Sequence, residues 1–565
     1  MMNLLKYESG FSLVSDTVCF DFSDNRFPKE DNTSYKLDII GNVPVPDIKA
    51  GDRLLLPVDE GIALRAEKEY APGEFDCNCI KGEFCSREGT MSMVIIERKG
   101  KYLLISLESG INSEYKAERK NGLYTLEIIC HKPCGITYKI FDSLTEACKC
   151  YRDMKSSKLV TLREKIRKTP EIEKLIGGGI FWVWNNNYDE VMYSDKNENI
   201  SPEVGKDLLS VADELYKNNV ENALFGLFFN NDSPLSEVLY KNYGYLSTQY
   251  DNYNDVLNPE LLCIIPDNRV KNCDYTSRRL KDYPDGVQVL KDGSLAPAWK
   301  LKGFDGKMHS QNTLCPLIAS KRMKEEIPEI LKAFPFYKGR FIDVYGGSLS
   351  CCYSREHPIT REQCLDVKND AFKSVGDMGL IAGTEDGFED IINNLVYTEG
   401  LHSPVHFRNL DSGRNHAHIY NEKQTEHIAK NMLNPECRVP LWHLVYHEYM
   451  LAFPYWGDST EMSPKFIKKK ILFACLYGCP PLYSFFIKDF GQLKDSIIYS
   501  YKKITDIHKK VALLPMTDFK ILTDDYQIQK SVFGEKYEIV VNFSDKDYVY
   551  NNTVIAPEDL LLEEI

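Results

Sequence analysis

Arg340-Phe-Ile-Asp-Val-Tyr345 and Met378-Gly-Leu-Ile-Ala-Gly383 are apolar runs of strand length, separated by a single amphipathic helix. That helix opens on a capping box, Thr360 with Gln363, and presents Leu365, Val367, Ala371, Phe372 and Val375 on one face. Working back along the chain, the same alternation starts after Gly177-Gly178-Gly179 with Ile180-Phe-Trp-Val-Trp184. A helix start follows at Ser201-Pro202-Glu203, with an apolar face of Leu208, Leu209, Val211, Ala212 and Leu215. Ala223-Leu-Phe-Gly-Leu-Phe-Phe229 and Tyr245-Leu-Ser-Thr-Gln-Tyr250 read as strands two and three, which makes Arg340–Tyr345 the fourth and Met378–Gly383 the fifth. Further on, Leu441-Trp-His-Leu-Val-Tyr446 and Ile471-Leu-Phe-Ala-Cys-Leu476 are read as strands six and seven, and the eighth has no clear signal.

Repeated strand–helix units with right-handed crossovers leave two architectures, a closed barrel or an open doubly wound sheet. No G-x-G-x-x-G opens a helix near Gly177 and no Walker-type loop occurs, so the barrel is favoured. The expectation is a multidomain α/β plus β protein: a central (β/α)8 TIM-like barrel over 151–517, with an insertion at about 257–339. Residues 1–150 alternate short apolar runs with turns, as in Met93–Glu97, Tyr102–Ser106 and Tyr124–Ile129, and predict an N-terminal β-sandwich. Tyr537–Asn542 and Tyr548–Tyr550 alternate again and predict a small β domain over 518–565.

Composition narrows the partners. A chain of 565 residues with net charge −14 does not suit a phosphate backbone, so no nucleic-acid partner is expected. No segment approaches the ~20 apolar residues of a membrane span, and Lys6 and Glu8 interrupt the region a signal peptide would keep apolar, which predicts a cytoplasmic protein with no membrane partner. Seventeen cysteines fit that compartment as reduced residues. The groups Cys77, Cys79, Cys85 and Cys130, Cys134, Cys148, Cys150 lack the paired C-x2-C of a structural zinc site, so no metal is assigned.

In a barrel of this kind the active site lies at the C-terminal ends of the strands. Asp343 ends an apolar strand and is followed by Gly346-Gly347; its alternative is a buried Asp that caps a loop or pairs with an arginine. Glu385 takes the matching place on the next strand, where helix capping by Glu385 or Asp386 is the alternative. Two carboxyls facing one small volume are what glycosidic bond hydrolysis needs, and a separation of ~5 to 5.5 Å favours retention of configuration. Asp343 is therefore the candidate nucleophile and Glu385 the candidate acid/base, with Asp386 and Glu389 as substitutes for the proton donor. Candidate substrate-binding residues are Trp182, Tyr250, Asp251, Trp299, Lys300, Tyr345 and His447. The rival constellation is histidine-rich, His416/His418 with His443/His447, and would make a metal-dependent hydrolase; read as strand residues, His443 and His447 stand about 13 Å apart, too far for one metal. A third reading is a non-catalytic carbohydrate-binding barrel.

Phe341-Ile-Asp-Val-Tyr-Gly346, Gly383-Thr-Glu-Asp-Gly387 and Val439-Pro-Leu-Trp-His-Leu-Val-Tyr-His447 together resemble the barrel motifs of the endo-α-N-acetylgalactosaminidases and their intracellular exo-acting relatives. The resemblance implies a strand-four Asp nucleophile and a Glu acid/base after strand five, carried here by Asp343 and Glu385. It also implies a retaining exo-acting enzyme that releases α-linked N-acetylgalactosamine from small glycans or glycopeptides. No cofactor is required for that chemistry, and a structural calcium is not derivable from the residues.

Overall fold

The computed structural model describes residues 2–16, 18–70, 75–155, 159–184, 203–227, 233–265 and 280–565. Its centre is a sheet of eight parallel strands: β1 (Gly179–Trp184), β2 (Ala223–Leu227), β3 (Leu246–Asp251), β4 (Gly339–Ile342), β5 (Ile381–Glu385), β6 (Tyr397–Glu399), β7 (Leu451–Phe453) and β8 (Leu482–Phe486). The order β7-β6-β5-β4-β3-β2-β1-β8 curls the sheet into a barrel. Beside the gap between β7 and β8 lies the turn Trp456–Asp458, and the Thr460 N–H then donates to the Leu482 carbonyl at 2.9 Å.

Alternation along each strand sends every second side chain inward. Ile180, Trp182, Trp184, Leu224, Leu246, Phe341, Ile381, Tyr397, Leu451, Phe453, Leu482 and Phe486 fill the interior as one buried cluster. Two large rings fit because glycine faces them: a Cβ on Gly226 would lie 1.9 Å from the Trp182 ring, and one on Gly383 would lie 2.1 Å from Tyr397. Outside, helix α1 (Glu203–Lys217) lays Leu208, Val211, Ala212 and Leu215 on Phe181, Val183, Phe225 and Leu227. The Ser201-Pro202 part of the expected helix start and the end of the expected second strand, Phe228-Phe229, lie outside the described residues.

Two expected strands are helices. Leu441–Tyr446 forms α4 and Ile467–Tyr477 forms α5, while strands six, seven and eight of the barrel are Tyr397–Glu399, Leu451–Phe453 and Leu482–Phe486. The reason is burial. Every residue of α4 is buried, as is the run Lys470–Tyr477 of α5, so neither helix carries the polar stripe that would reveal a period of 3.6. The insertion contributes a three-stranded antiparallel sheet, Asp255–Val256, Pro297–Lys302 and Met308–Thr313, before α2 (Pro316–Ala333) leads into β4. The expected capping-box helix is α3 (Arg361–Asp377), with both halves of the Thr360–Gln363 box formed.

At the N-terminus, the antiparallel sheet Met2–Tyr7, Gly10–Ser15 and Val18–Phe22 shares its core with a nine-stranded sheet. Phe22 meets Tyr138 of the larger sheet edge-on at 5.6 Å. At the C-terminus, Met516–Ile521, Ile528–Phe533, Tyr537–Asn542 and Asp559–Glu564 form a four-stranded antiparallel sheet. Among the described residues, no helix is long and apolar enough to cross a membrane.

Candidate active site at the barrel mouth

The inward face of β4 continues past Phe341 to Asp343, and that of β5 ends on Glu385. Both are buried, at 6% and 7% exposure, a state that charged groups occupy only with partners. The Asp343 amide donates to the Asp251 carbonyl at 2.8 Å, which fixes the carboxyl's origin. Its Oδ2 accepts from the Tyr250 hydroxyl and from the Asn252 amide, the latter at 3.2 Å. Immediately after each acid the backbone turns through left-handed conformations, Val344 at φ 49° and Asp386 at φ 56°. For a β-branched valine this is strained, and such strain persists where the surroundings over-determine a geometry.

The two carboxyls interact directly. Burial pushes Asp343 well above the ordinary carboxylate range and the Glu385 charge pushes it further; burial and the neighbouring Asp386 raise Glu385. The Glu385 charge disfavours a second charge on Asp343, so the two acids titrate as a linked pair. Around them stand aromatic rings. Trp456 stacks on Tyr250 at 5.8 Å and meets Trp182 at 5.7 Å, and the Glu385 charge opposes ionisation of the adjoining Tyr455.

A third acid, Glu399 on β6, sits in the floor with both oxygens on the Trp182 indole N–H, at 2.9 and 3.1 Å. Burial pushes it well above the carboxylate range, which favours its neutral form. Folding must then retain a proton that the unfolded chain releases near pH 4.3, and stability falls by about 1.4 kcal/mol per pH unit between that point and the raised folded pKa. Glu399→Gln is expected to remove this slope, giving a stability gain that grows with pH. Parallel denaturation curves for variant and wild type over the same pH range would refute it.

The remaining expected residues divide clearly. Trp182 and Tyr250 line the interior as described. Trp299 is 46% exposed on the insertion hairpin, with Arg414 over its ring at 4.1 Å. Its Cη2 lies 3.7 Å, and the Tyr455 hydroxyl 3.0 Å, from the point a Cβ on Gly413 would occupy, so it overhangs the mouth. Lys300 is exposed and gives its carbonyl to Arg414 at 3.2 Å. Three expected residues are not brought to the site. Asp251 faces outward to Arg340 at 3.3 Å. Tyr345 turns to the outer layer, its ring 5.5 Å from Phe372 and its hydroxyl on the Pro316 carbonyl. His447 caps α4 and bonds the carbonyls of Leu514 and Gly478.

Asp386 and Glu389 also have other work. Asp386 pairs with Arg87 at 3.3 Å and Arg408 at 3.5 Å, which ties the N-terminal domain to the barrel mouth. Glu389 accepts from Ser92, Tyr151 and Tyr446. The four histidines do not converge. His443 and His447 do share a helix, with ring centroids 5.9 Å apart, contrary to the strand reading. His416, however, stacks against Trp184 at 3.8 Å and His418 against Phe486, whereas His443 contacts Glu60 and Cys479.

An eight-stranded parallel barrel whose mouth holds a buried pair of acids within an aromatic wall is the scaffold of a glycoside hydrolase. Residues 233–532 match the family described as glycosyl hydrolases related to GH101 family, GH129, and the chain belongs to that family. No curated protein sequence matches the chain significantly. The fold is shared with solved structures of the α-N-acetylgalactosaminidase NagBb from Bifidobacterium bifidum. The ligand-free form has a TM-score of 0.69 at 16% identity, covering 96% of this chain and 97% of that one. Its GalNAc complex gives 0.67 at 15% identity, covering 99% and 100%.

Proposed function

We propose that the chain is a retaining exo-α-glycosidase, an α-N-acetylgalactosaminidase acting on small glycans or glycopeptides. The observation that carries the retaining reading is the placement of Asp343 and Glu385 side by side at the ends of adjacent strands, close enough for the Glu385 charge to bear on Asp343. Against the burial and Glu385 charge that raise Asp343, Tyr250 and Asn252 stabilise its anion, and Asp386 beside Glu385 favours the proton there although Arg87 opposes it. With substrate bound, Asp343 attacks the anomeric carbon. The bond to the leaving oxygen breaks, and that oxygen takes the Glu385 proton. Water then gives a proton back to Glu385 and attacks the same carbon, which releases Asp343 and restores the original configuration. No cofactor enters this scheme.

The sugar follows the Bifidobacterium bifidum α-N-acetylgalactosaminidase, whose structure was solved with GalNAc and which this chain matches over nearly its whole length, while the exo action rests on the resemblance of the barrel motifs. A cytoplasmic setting is supported by the cysteines, which are free throughout the described residues. The experiment is a panel of aryl α- and β-glycosides with the product anomer followed by NMR. Turnover of the aryl α-GalNAc, with the α-anomer of free GalNAc appearing first, is expected; the β-anomer first would overturn retention, and turnover of another sugar alone would overturn the specificity. Trp299 offers an exposed aromatic face at the mouth, so Trp299→Ala is expected to lower kcat/KM about tenfold with unchanged thermal stability. Unchanged kcat/KM would remove Trp299 from the site.

A further inference from the structure

Behind the strand-four loop, away from the acids, three potential metal ligands converge. Cys315 Sγ, Cys352 Sγ and His357 Nδ1 are buried, and each of the three residues offers its ligand atom within 4.8 Å of the others. They come from separate places: Cys315 is the N-cap of α2, while Cys352 and His357 lie on the loop that follows Asp343. Cys352 Sγ is 3.4 Å from His357 Nδ1.

The outer contacts orient these atoms inward. His357 Nε2 lies 2.6 Å from the Asp285 carbonyl, which can only accept, so Nε2 carries the proton and Nδ1 presents its lone pair to the thiols. This is the arrangement by which metal-binding histidines are held. The Val289 N–H points at Cys352 Sγ from 3.4 Å, a donor suited to a thiolate. Asp285 and Val289 both belong to the insertion, so the cluster joins three segments.

We propose that Cys315, Cys352 and His357 bind a thiophilic divalent ion of the zinc class, which pins the insertion to the loop that carries Asp343. Two sulfurs and an imidazole are the donor set such ions prefer. Two thiolates neutralise a divalent charge, which lets the ion sit in a buried site without an unpaired charge. Water completes a tetrahedral shell.

A second group, His402, His443 and Cys479, is also compact. There Arg438 Nη2 lies 3.2 Å from His402 Nδ1 and 2.5 Å from Glu60 Oε1, so a guanidinium already supplies the positive charge a metal would bring.

The test uses the full chain, purified without metal-affinity chromatography and dialysed, with metal measured by mass spectrometry. About one equivalent of zinc per chain is expected, falling below about a tenth in a Cys315→Ser/Cys352→Ser double variant. Cobalt(II) added to the chelator-stripped protein should give thiolate-to-cobalt charge-transfer absorption that the double variant lacks. Wild-type protein that holds no zinc and gives no such band would overturn the proposal, whether or not the variant folds. Loss of the metal in Cys479→Ser, with retention in the double variant, would overturn the assignment to these residues. A mass deficit of two hydrogens mapped to a Cys315–Cys352 disulfide in the protein as isolated would do so as well.

Discussion

Asp343→Asn is expected to lower turnover of an aryl α-glycoside by about 10⁴-fold or more, and in Asp343→Ala external azide restores part of the lost turnover as a β-glycosyl azide. The carboxyl lies one inward position beyond Phe341, anchored through its own amide to Asp251 and through Oδ2 to Tyr250 and Asn252. An amide of the same shape keeps most of these contacts and loses the nucleophile. The shorter side chain of Asp343→Ala does leave space, in which azide can displace the aglycone once, with inversion, which is why the product configuration is diagnostic. A variant of near wild-type activity, or an azide product of α configuration, would exclude Asp343 as nucleophile. The same substitution removes a carboxyl that burial and Glu385 hold above its ordinary range, so Asp343→Asn should also be more stable than wild type at neutral pH. Loss of activity with gained stability is the signature of a strained functional group rather than of damage to the core.

Both acids are legible in the sequence because the long helices α2 and α3, with solvent-facing polar stripes, precede β4 and β5, so the strands can be located and a carboxyl at an end stands out. The same logic had more to give at β3. If Tyr250 faces inward, Asp251 faces outward and Asn252 returns to the mouth, and the structure pairs Asp251 with Arg340 and Asn252 with Asp343. Alternation along the strand, not residue type, decides that Asn252 rather than Asp251 reaches the mouth. Tyr345 departs from that alternation: two residues past Asp343 would face inward on a straight strand, but the left-handed turn at Val344 redirects the chain. Glu399 was hidden for another reason. Its strand is three residues long, too short to show a period, and only a 3-10 turn separates it from β5. Tyr455 and Trp456 follow an equally short strand, β7, and their place at the mouth depends on that strand being found. Arg87 comes from the N-terminal domain, and no reading confined to the barrel could bring it to Asp386.

Glu385→Gln should divide substrates by leaving group. With a dinitrophenyl glycoside the departing oxygen needs no proton, and the first chemical step should slow less than about tenfold. A serine-linked or alkyl glycoside does need one, and the loss there should reach about 10³-fold. Equal losses on both substrates would remove Glu385 from the proton-donor role. The pH dependence gives an independent reading. An acid is active only while protonated, so activity falls as pH rises through its pKa; burial and Asp386 raise that pKa and carry the alkaline limb toward neutral pH. Asp343 must be ionised, which sets the acid limb. In Glu385→Gln the alkaline limb should vanish for the dinitrophenyl substrate while the acid limb persists. The acid limb should move downward as well, because removing the Glu385 charge takes away the repulsion that helps hold the Asp343 pKa up. A retained alkaline limb would assign that ionisation to another group, and the candidates the structure offers are Glu399, one strand over on Trp182, and Tyr455, whose ionisation the Glu385 charge opposes. Glu399→Gln and Tyr455→Phe then separate them, since only the variant that removes the titrating group loses the limb.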